Sequence, residues 1–260
     1  ESRALAQAGY RELVISGINL AQYTGGPGQG LDFWDLIQWL DKHLKKEYQR
    51  SLRLRLSSLD LVLLSTKGLA VLQQAELVCP HLHLSIQSAS PAVLRAMGRS
   101  HYIPEGLSDV ISRIKAFWPT FGLGADFLLG FPGESTANFQ ETVDFFRAQP
   151  FSYAHIFSYS PRPGTRAAAL TDRVEAGDRK RRSRQLRELA AEKRRLFLHT
   201  LLEIPDMEIL LEQSDPALGL NEYYTLCLLE PAKVEAPPGH LLRAAPLGLN
   251  EEGLLVRSLD

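Results

Sequence analysis

Short apolar or alternating runs recur along the chain and are separated by longer amphipathic segments. The runs at 11–16 (RELVIS), 53–58 (RLRLSS), 82–87 (LHLSIQ), 123–129 (LGADFLL) and 153–159 (YAHIFSY) have the length and period of strands. Helical spacing of apolar residues occupies 31–47, 65–76, 104–117 and 135–148. This order predicts parallel strands joined by right-handed crossovers, an α/β fold in the form of an open or closed barrel. In such folds the chemistry gathers at the C-terminal ends of the strands. Residues 1–8 read as the end of a helix, with Ala4, Leu5 and Ala8 on one face and Gly9 as its stop. Because a barrel rarely begins with half a helix, a preceding strand is expected, and with it a longer parent protein. A single long helix is predicted over 176–202. Beyond Ile204–Pro205, short strands alternate with turn signals at Asp215–Pro216, Pro237–Pro238–Gly239 and Asn250 to Gly253, the pattern of a small β-barrel. The expected units are therefore an α/β barrel over 1–175, a connecting helix over 176–205 and a small all-β barrel over 206–260.

Composition changes this picture little, whereas charge placement changes it more. With 260 residues, 45% hydrophobic and 23% charged, the chain can bury a full core. No run approaches the roughly 18 apolar residues of a membrane span, and the N-terminus has no secretory pattern, so a cytoplasmic protein with no membrane contact is expected. The net charge of -1 hides an asymmetry. Residues 179–195 carry nine basic and two acidic side chains, and residues 206–260 carry three basic and ten acidic. That makes the helix, with Arg181, Arg182 and Arg184, the candidate for contact with nucleic-acid phosphates. Its other reading is a solvated helix with Arg184–Glu188 spacing and an apolar seam of Leu186, Leu189 and Leu196. The two cysteines, Cys79 and Cys227, lie far apart and are expected to be buried thiols, with no disulfide framework and no metal site.

Candidate chemistry sits where the strands end. Ser16-Gly17-Ile18-Asn19 offers a close backbone approach at Gly17 and a donor and acceptor at Asn19, suited to the amino or carboxylate group of a ligand. A plain turn into the Gly25 to Gly28 loop is the alternative. Alternation puts Arg53, Arg55 and Ser57 on one face, where a buried cation needs a partner or an anionic ligand. The run 81–88 puts His81, His83, Ser85 and Gln87 on one face. Two histidines two apart can chelate a metal, but no neighbouring carboxylate or cysteine trio accompanies them in sequence, so a polar barrel lining is preferred to a metal site. Gly130-Phe131-Pro132-Gly133-Glu134-Ser135 follows an apolar strand and opens a helix. It lacks P-loop spacing and reads equally as a ligand-admitting turn or a tight connector. Tyr159 to Arg166 (YSPRPGTR) is a proline-stiffened loop aiming Arg162 and Arg166 at an anion, or else a solvated connector.

Three of these strings, taken in order, resemble the methylthiotransferase family of radical-SAM enzymes. HLHLSIQSAS is similar to that family's HLHLPLQSGS, GADFLLGFPGES to TDxIVGFPGET, and FSYSPRPGTRAAAL to FPYSPRPGTxAA. RLRLSSLD and HIFSYSPRPGTRA look nearest to the branch acting on threonylcarbamoyladenosine beside the tRNA anticodon. The resemblance implies a partial radical-SAM (β/α)6-type barrel lacking its first strand, followed by a TRAM-like small β-barrel. It also implies S-adenosylmethionine, two 4Fe-4S clusters in the intact parent and tRNA as partner. A methylthio group would be added to carbon 2 of an adenine, with the cofactors supplying the difficult chemistry. By the same resemblance, Ser16, Gly17 and Asn19 match the methionine end of the cofactor segment. Arg55, Ser57, Gln87 and Ser88 match barrel-lining positions, and Asp126 with Gly130, Phe131, Gly133 and Glu134 matches the edge beside the adenosine.

The departures are specific. The family's CxxxCxxC triad and the three further cysteines of its preceding domain have no counterpart here, so neither cluster is ligated and this chain alone is expected to be inactive. Ala89 replaces the glycine of QSGS. An acidic tail is wrong for gripping phosphates, which keeps two alternatives open: methylthiolation of a ribosomal-protein aspartate, and a cluster-free RNA-binding or assembly module.

Overall fold

The computed structural model describes residues 1–26, 28–49, 51–99 and 106–259. Helix α1 (Ser2–Gln7) leads into strand β1 (Glu12–Ile15), and α2 (Phe33–Tyr48) into β2 (Arg53–Leu56). Helix α3 (Thr66–Gln74) precedes β3 (His81–Gln87), after which α4 (Pro91–Ala96) and α5 (Leu107–Lys115) precede β4 (Gly122–Leu129). Helix α6 (Thr136–Ala148), β5 (Tyr153–Ser158) and the long α7 (Ala176–Leu202) complete the first part. Positions 104 and 105 of the expected fourth helix, and Pro27 of the glycine loop, lie outside the described residues. Asp32, Ser65 and Ser135 start α2, α3 and α6 by accepting hydrogen bonds from first-turn amides, which is why these helices begin where they do.

All five strands run parallel. β1 pairs with β2, and β3 with β4 and β4 with β5. Bridges from Leu54 to Val78 and from Leu59 to Leu84 join the two groups, so the order follows the chain from β1 to β5. Each strand has two chemically distinct faces. Leu54, Leu56, Leu82, Leu84, Leu123, Ala125, Phe127 and Leu129 are buried beneath the helices, where the apolar core lies. Glu12, Arg53, Arg55, His81, His83, Asp126, Tyr153 and His155 occupy the other, concave face.

Strands β6 (Met207–Ser214), β7 (Ala217–Asn221), β8 (Leu226–Leu229), β9 (Leu241–Leu249) and β10 (Leu254–Ser258) close into a separate barrel in the order β10-β8-β7-β6-β9. Its core holds Met207, Ile209, Leu211, Cys227, Leu229, Ala244, Leu254 and Val256. Helix α7 joins the two cores, burying Leu186 in the first and Leu201 in the second. The expected seam is thus corrected: Leu196 is 62% exposed, and Ala190, Leu198 and Leu201 replace it on the buried side. The N-terminal helix is corrected likewise, since it buries Ala6 rather than Leu5.

Candidate active site

The concave face is closed at one end and open at the other. At the closed end, the carboxylate of Glu12 receives Arg53 Nε at 2.7 Å and Arg55 Nε at 2.8 Å. The remaining donors reach into the small barrel. Arg53 donates to the Glu208 and Leu220 carbonyls, and Arg55 to those of Asn221 and Glu222. Burial works against the charge on Glu12, yet the two guanidiniums outweigh it and hold its carboxyl below the ordinary range. Arg55 is buried on this face, and its Nε, Nη1 and Nη2 are each already engaged by Glu12 or by a small-barrel carbonyl. Its expected role is corrected to that of a clamp between the two parts of the molecule.

In the middle of the face, Tyr153 lies where a side chain on residue 124 would be. A Cβ on Gly124 would stand 2.1 Å from the Tyr153 ring, so the glycine creates the space. The Tyr153 hydroxyl bonds His81 Nε2 and His83 Nδ1, each at 2.9 Å. Asp126 Oδ1 lies 3.0 Å from His83 Nε2 and 3.2 Å from His155 Nδ1. The expectation that the histidines lack a carboxylate companion is thus corrected: β4 and β5 deliver one carboxylate and one further imidazole from positions far away in sequence.

At the open end, Ser16 is exposed just beyond β1, Ser57 half-buried beyond β2, and Gln87 half-buried at the last position of β3. Gln87 has a φ of 65°, a left-handed conformation that a non-glycine residue adopts only against strain. It borders a cavity of about 370 Å³ shared with Arg95, Arg99, Leu128, Phe131 and Arg166. Asn19 Oδ1 caps the short turn that follows it, accepting from the Ala21 amide at 3.1 Å, and Gly17 is exposed beside it. Ser88 is buried, with its hydroxyl engaged by Thr142 and by the Ser90 amide, so its expected contact with a cofactor is corrected to a local brace.

The Gly130 to Glu134 turn is packed against α7 and the segment leading into it. Arg182 Nη1 meets Glu134 Oε1 at 2.5 Å and also its carbonyl, and both side chains are at most 4% exposed. Glu134 also receives the Gly130 amide at 3.1 Å, and the Gly133 amide donates to Asp172 at 2.7 Å. Gly130 adopts a φ of 73°, and a Cβ there would stand 2.4 Å from Arg179. Two expectations are corrected by this packing. Arg182 is a buried structural cation rather than an RNA contact, and Gly130 and Glu134 hold the turn rather than a ligand. Arg162, Arg166, Arg181 and Arg184 are exposed, with Arg181 paired to Asp178 at 2.5 Å.

Neither cysteine suits an iron–sulfur cluster. Cys79 is 2% exposed and Cys227 is 0% exposed, in different parts of the molecule. Burial pushes the Cys79 thiol up to about 11 and raises that of Cys227 as well, away from the thiolate a cluster needs. The open strand ends, by contrast, fit a polar cofactor such as S-adenosylmethionine.

A parallel sheet covered by helices on one face, with polar strand ends facing a cavity, is the arrangement of an open α/β barrel, and solved radical-SAM enzymes share this fold. The chain is similar to coproporphyrinogen III oxidase of Escherichia coli, a radical-SAM enzyme, with a TM-score of 0.51 and 15% identity over 65% of this chain and 39% of that one. It is similar at a TM-score of 0.52 and 15% identity to the radical S-adenosylmethionine methyltransferase TsrM of Kitasatospora setae, over 65% of this chain and 29% of that one. The chain belongs to the methylthiotransferase family of these enzymes. It is 35% identical over 190 residues to the threonylcarbamoyladenosine tRNA methylthiotransferase of Thermotoga maritima, 73% of this chain and 42% of that one. Against the Bacillus subtilis protein of the same name it is 32% identical over 230 residues, 86% of this chain and 50% of that one. A tRNA-2-methylthio-N(6)-dimethylallyladenosine synthase from Magnetococcus marinus is 35% identical over 189 residues, 73% of this chain and 42% of that one. The chain thus spans half or less of the length of these relatives. No family model matches it.

Proposed function

We propose that this chain forms the S-adenosylmethionine-binding barrel and RNA-facing tail of a methylthiotransferase acting on carbon 2 of a modified adenosine beside the tRNA anticodon. The observation that carries this reading is the 32–37% identity to threonylcarbamoyladenosine tRNA methylthiotransferases across 73–86% of the chain. S-adenosylmethionine would lie across the open strand ends, with Ser16, Asn19, Ser57 and Gln87 holding its polar groups. Gly17 and Gly133 would admit it to the backbone, and Phe131 would flank the adenine. Once bound, it supplies the reactive sulfonium on which this class of chemistry depends. Asp126, already shared by two histidines, stands outside this set. Arg162, Arg166, Arg181 and Arg184 would meet tRNA phosphates, a sequence-independent and salt-sensitive contact. The two 4Fe-4S clusters of the full activity require cysteines that these 260 residues do not offer, so the chain alone would have no turnover. Activity on tRNA places the protein in the cytoplasm.

The test is genetic. Deleting the gene should remove the methylthio group from the modified adenosine of bulk tRNA, read by mass spectrometry of digested nucleosides. A tRNA profile that stays intact would overturn the reading, and loss of methylthio-aspartate from a ribosomal protein would replace it with the protein-directed alternative.

A further inference from the structure

We propose that His83, Asp126 and His155 form a site for one divalent transition-metal ion, with zinc best suited to the donor set. Three adjacent parallel strands contribute one ligand each, so the site rests on hydrogen-bonded sheet rather than on loops. The donor atoms His83 Nε2, Asp126 Oδ1 and His155 Nδ1 all lie within 4.8 Å of one another, with separations of 3.0 Å and 3.2 Å to the shared oxygen. An ion bonded at about 2.0–2.1 Å to each of three tetrahedral ligands holds them roughly 3.3 Å apart. The two separations to Asp126 need to open by only a few tenths of an ångström to reach that spacing, and the third side lies within 4.8 Å. Two imidazoles and a carboxylate, with no thiolate, select zinc and its neighbours in the first transition row over calcium or magnesium.

The surroundings support the same assignment. A metal-bound histidine typically donates its other ring N–H to a fixed acceptor, which sets its tautomer. His83 Nδ1 has such a partner in the Tyr153 hydroxyl at 2.9 Å. With an ion on Nε2, His83 keeps its proton on Nδ1 and donates it to Tyr153. The tyrosine then donates its own proton to His81 Nε2, also at 2.9 Å. An entry path exists too. His155 is about half exposed and lines a cavity of about 430 Å³ between β5, α7 and the Tyr224 turn of the small barrel. Of the three ligands His155 faces that cavity, and three protein ligands leave a fourth position for water or a ligand atom.

Untagged chain, stripped with a chelator, is titrated with Zn²⁺ by calorimetry and with Co²⁺ by visible absorption. One equivalent of each should bind, cobalt giving the intense bands of a low-coordinate site. His155→Ala and Asp126→Asn should each weaken zinc at least about tenfold, and Tyr153→Phe should weaken it by roughly the same factor through the lost outer partner. His43→Ala, at a half-buried position on α2 outside the concave face, should leave binding unchanged. His155 is half exposed and Asn is isosteric with Asp, so folding is preserved and circular dichroism checks it. Zinc uptake by the unaltered chain no greater than that of Asp126→Asn would overturn the assignment, as would undiminished binding by His155→Ala.

Discussion

The two ends of the concave face are built from the same alternating strands yet have opposite characters. At the closed end, Arg53 and Arg55 are buried and Glu12 nearly so, and their charges are matched to one another and to four carbonyls of the small barrel. At the open end, Ser16, Ser57 and Gln87 are wholly or partly exposed, and Gln87 holds a strained backbone. A polar side chain on a barrel lining is therefore no evidence of ligand binding in itself. What separates the two ends is how far the protein's own groups already engage the polar atoms. Arg55 and Gln87 illustrate the difference, standing on neighbouring strands with opposite fates.

The largest expected effect tests the closed end. Replacing Arg55 by Ala leaves part of the Glu12 charge and the Asn221 and Glu222 carbonyls without a donor in a buried setting. Removal of one member of a buried ion pair costs about 3–5 kcal/mol, and Arg53 retains part of the pairing, so a loss of about 3 kcal/mol is expected. Urea unfolding measures it. Arg181→Ala is the matched comparison, because its pair with Asp178 is exposed and its loss should stay within about 0.5 kcal/mol. Equal midpoints for the two variants would break the distinction between the ends.

That distinction also marks what the sequence makes legible. The five strands and the long helix lie where apolar spacing puts them, because each buries an apolar face against the core, and burial of that kind is written locally. The small barrel is legible from its turn residues for the same reason. The partners of the polar face are not local. Glu12 meets Arg55 across 43 positions, and Glu134 meets Arg182 across 48. Nothing in the GFPGE string says that its glutamate will spend its charge on α7. The Glu12 pairing had a faint signal, since Glu12 and Val14 alternate out of the core as Arg53 and Arg55 do. His155 and Asp126 had none, because only the register of β4 with β5 sets them side by side.

An intermediate effect concerns pH at the same junction. Glu222 sits in the turn that caps the closed end, and its Oε2 accepts the Glu208 amide at 3.0 Å. Burial raises its carboxyl to about 7, against the smaller opposing pull of its hydrogen bonds and of Arg53. The folded state then binds more protons than the unfolded chain between about 4.5 and about 7. Stability from this group is fully present below that window and is lost as pH rises through it, by at most about 1.4 kcal/mol per pH unit. Glu222→Gln should flatten this slope, measured as the melting temperature at pH 5, 6, 7 and 8. An unchanged slope in the variant would detach Glu222 from the clamp and leave Glu12 and the two arginines as its charged parts.

The smallest effect has the opposite sign and tests the open end. Gln87 pays a conformational cost for its φ of 65°, which glycine adopts freely. Gln87→Gly should therefore stabilise the chain by about 1 kcal/mol while weakening S-adenosylhomocysteine, a stable stand-in for the proposed cofactor, at the strand ends. Both changes are read in one titration monitored by thermal shift: a higher melting temperature without ligand and a smaller increment with it. A gain in stability with the ligand increment intact would mean that the strain serves only the turn into α4, and the cofactor reading would then rest on Ser16 and Ser57. A loss of stability would show that the Gln87 side chain holds the strand end together, making the open end resemble the closed one.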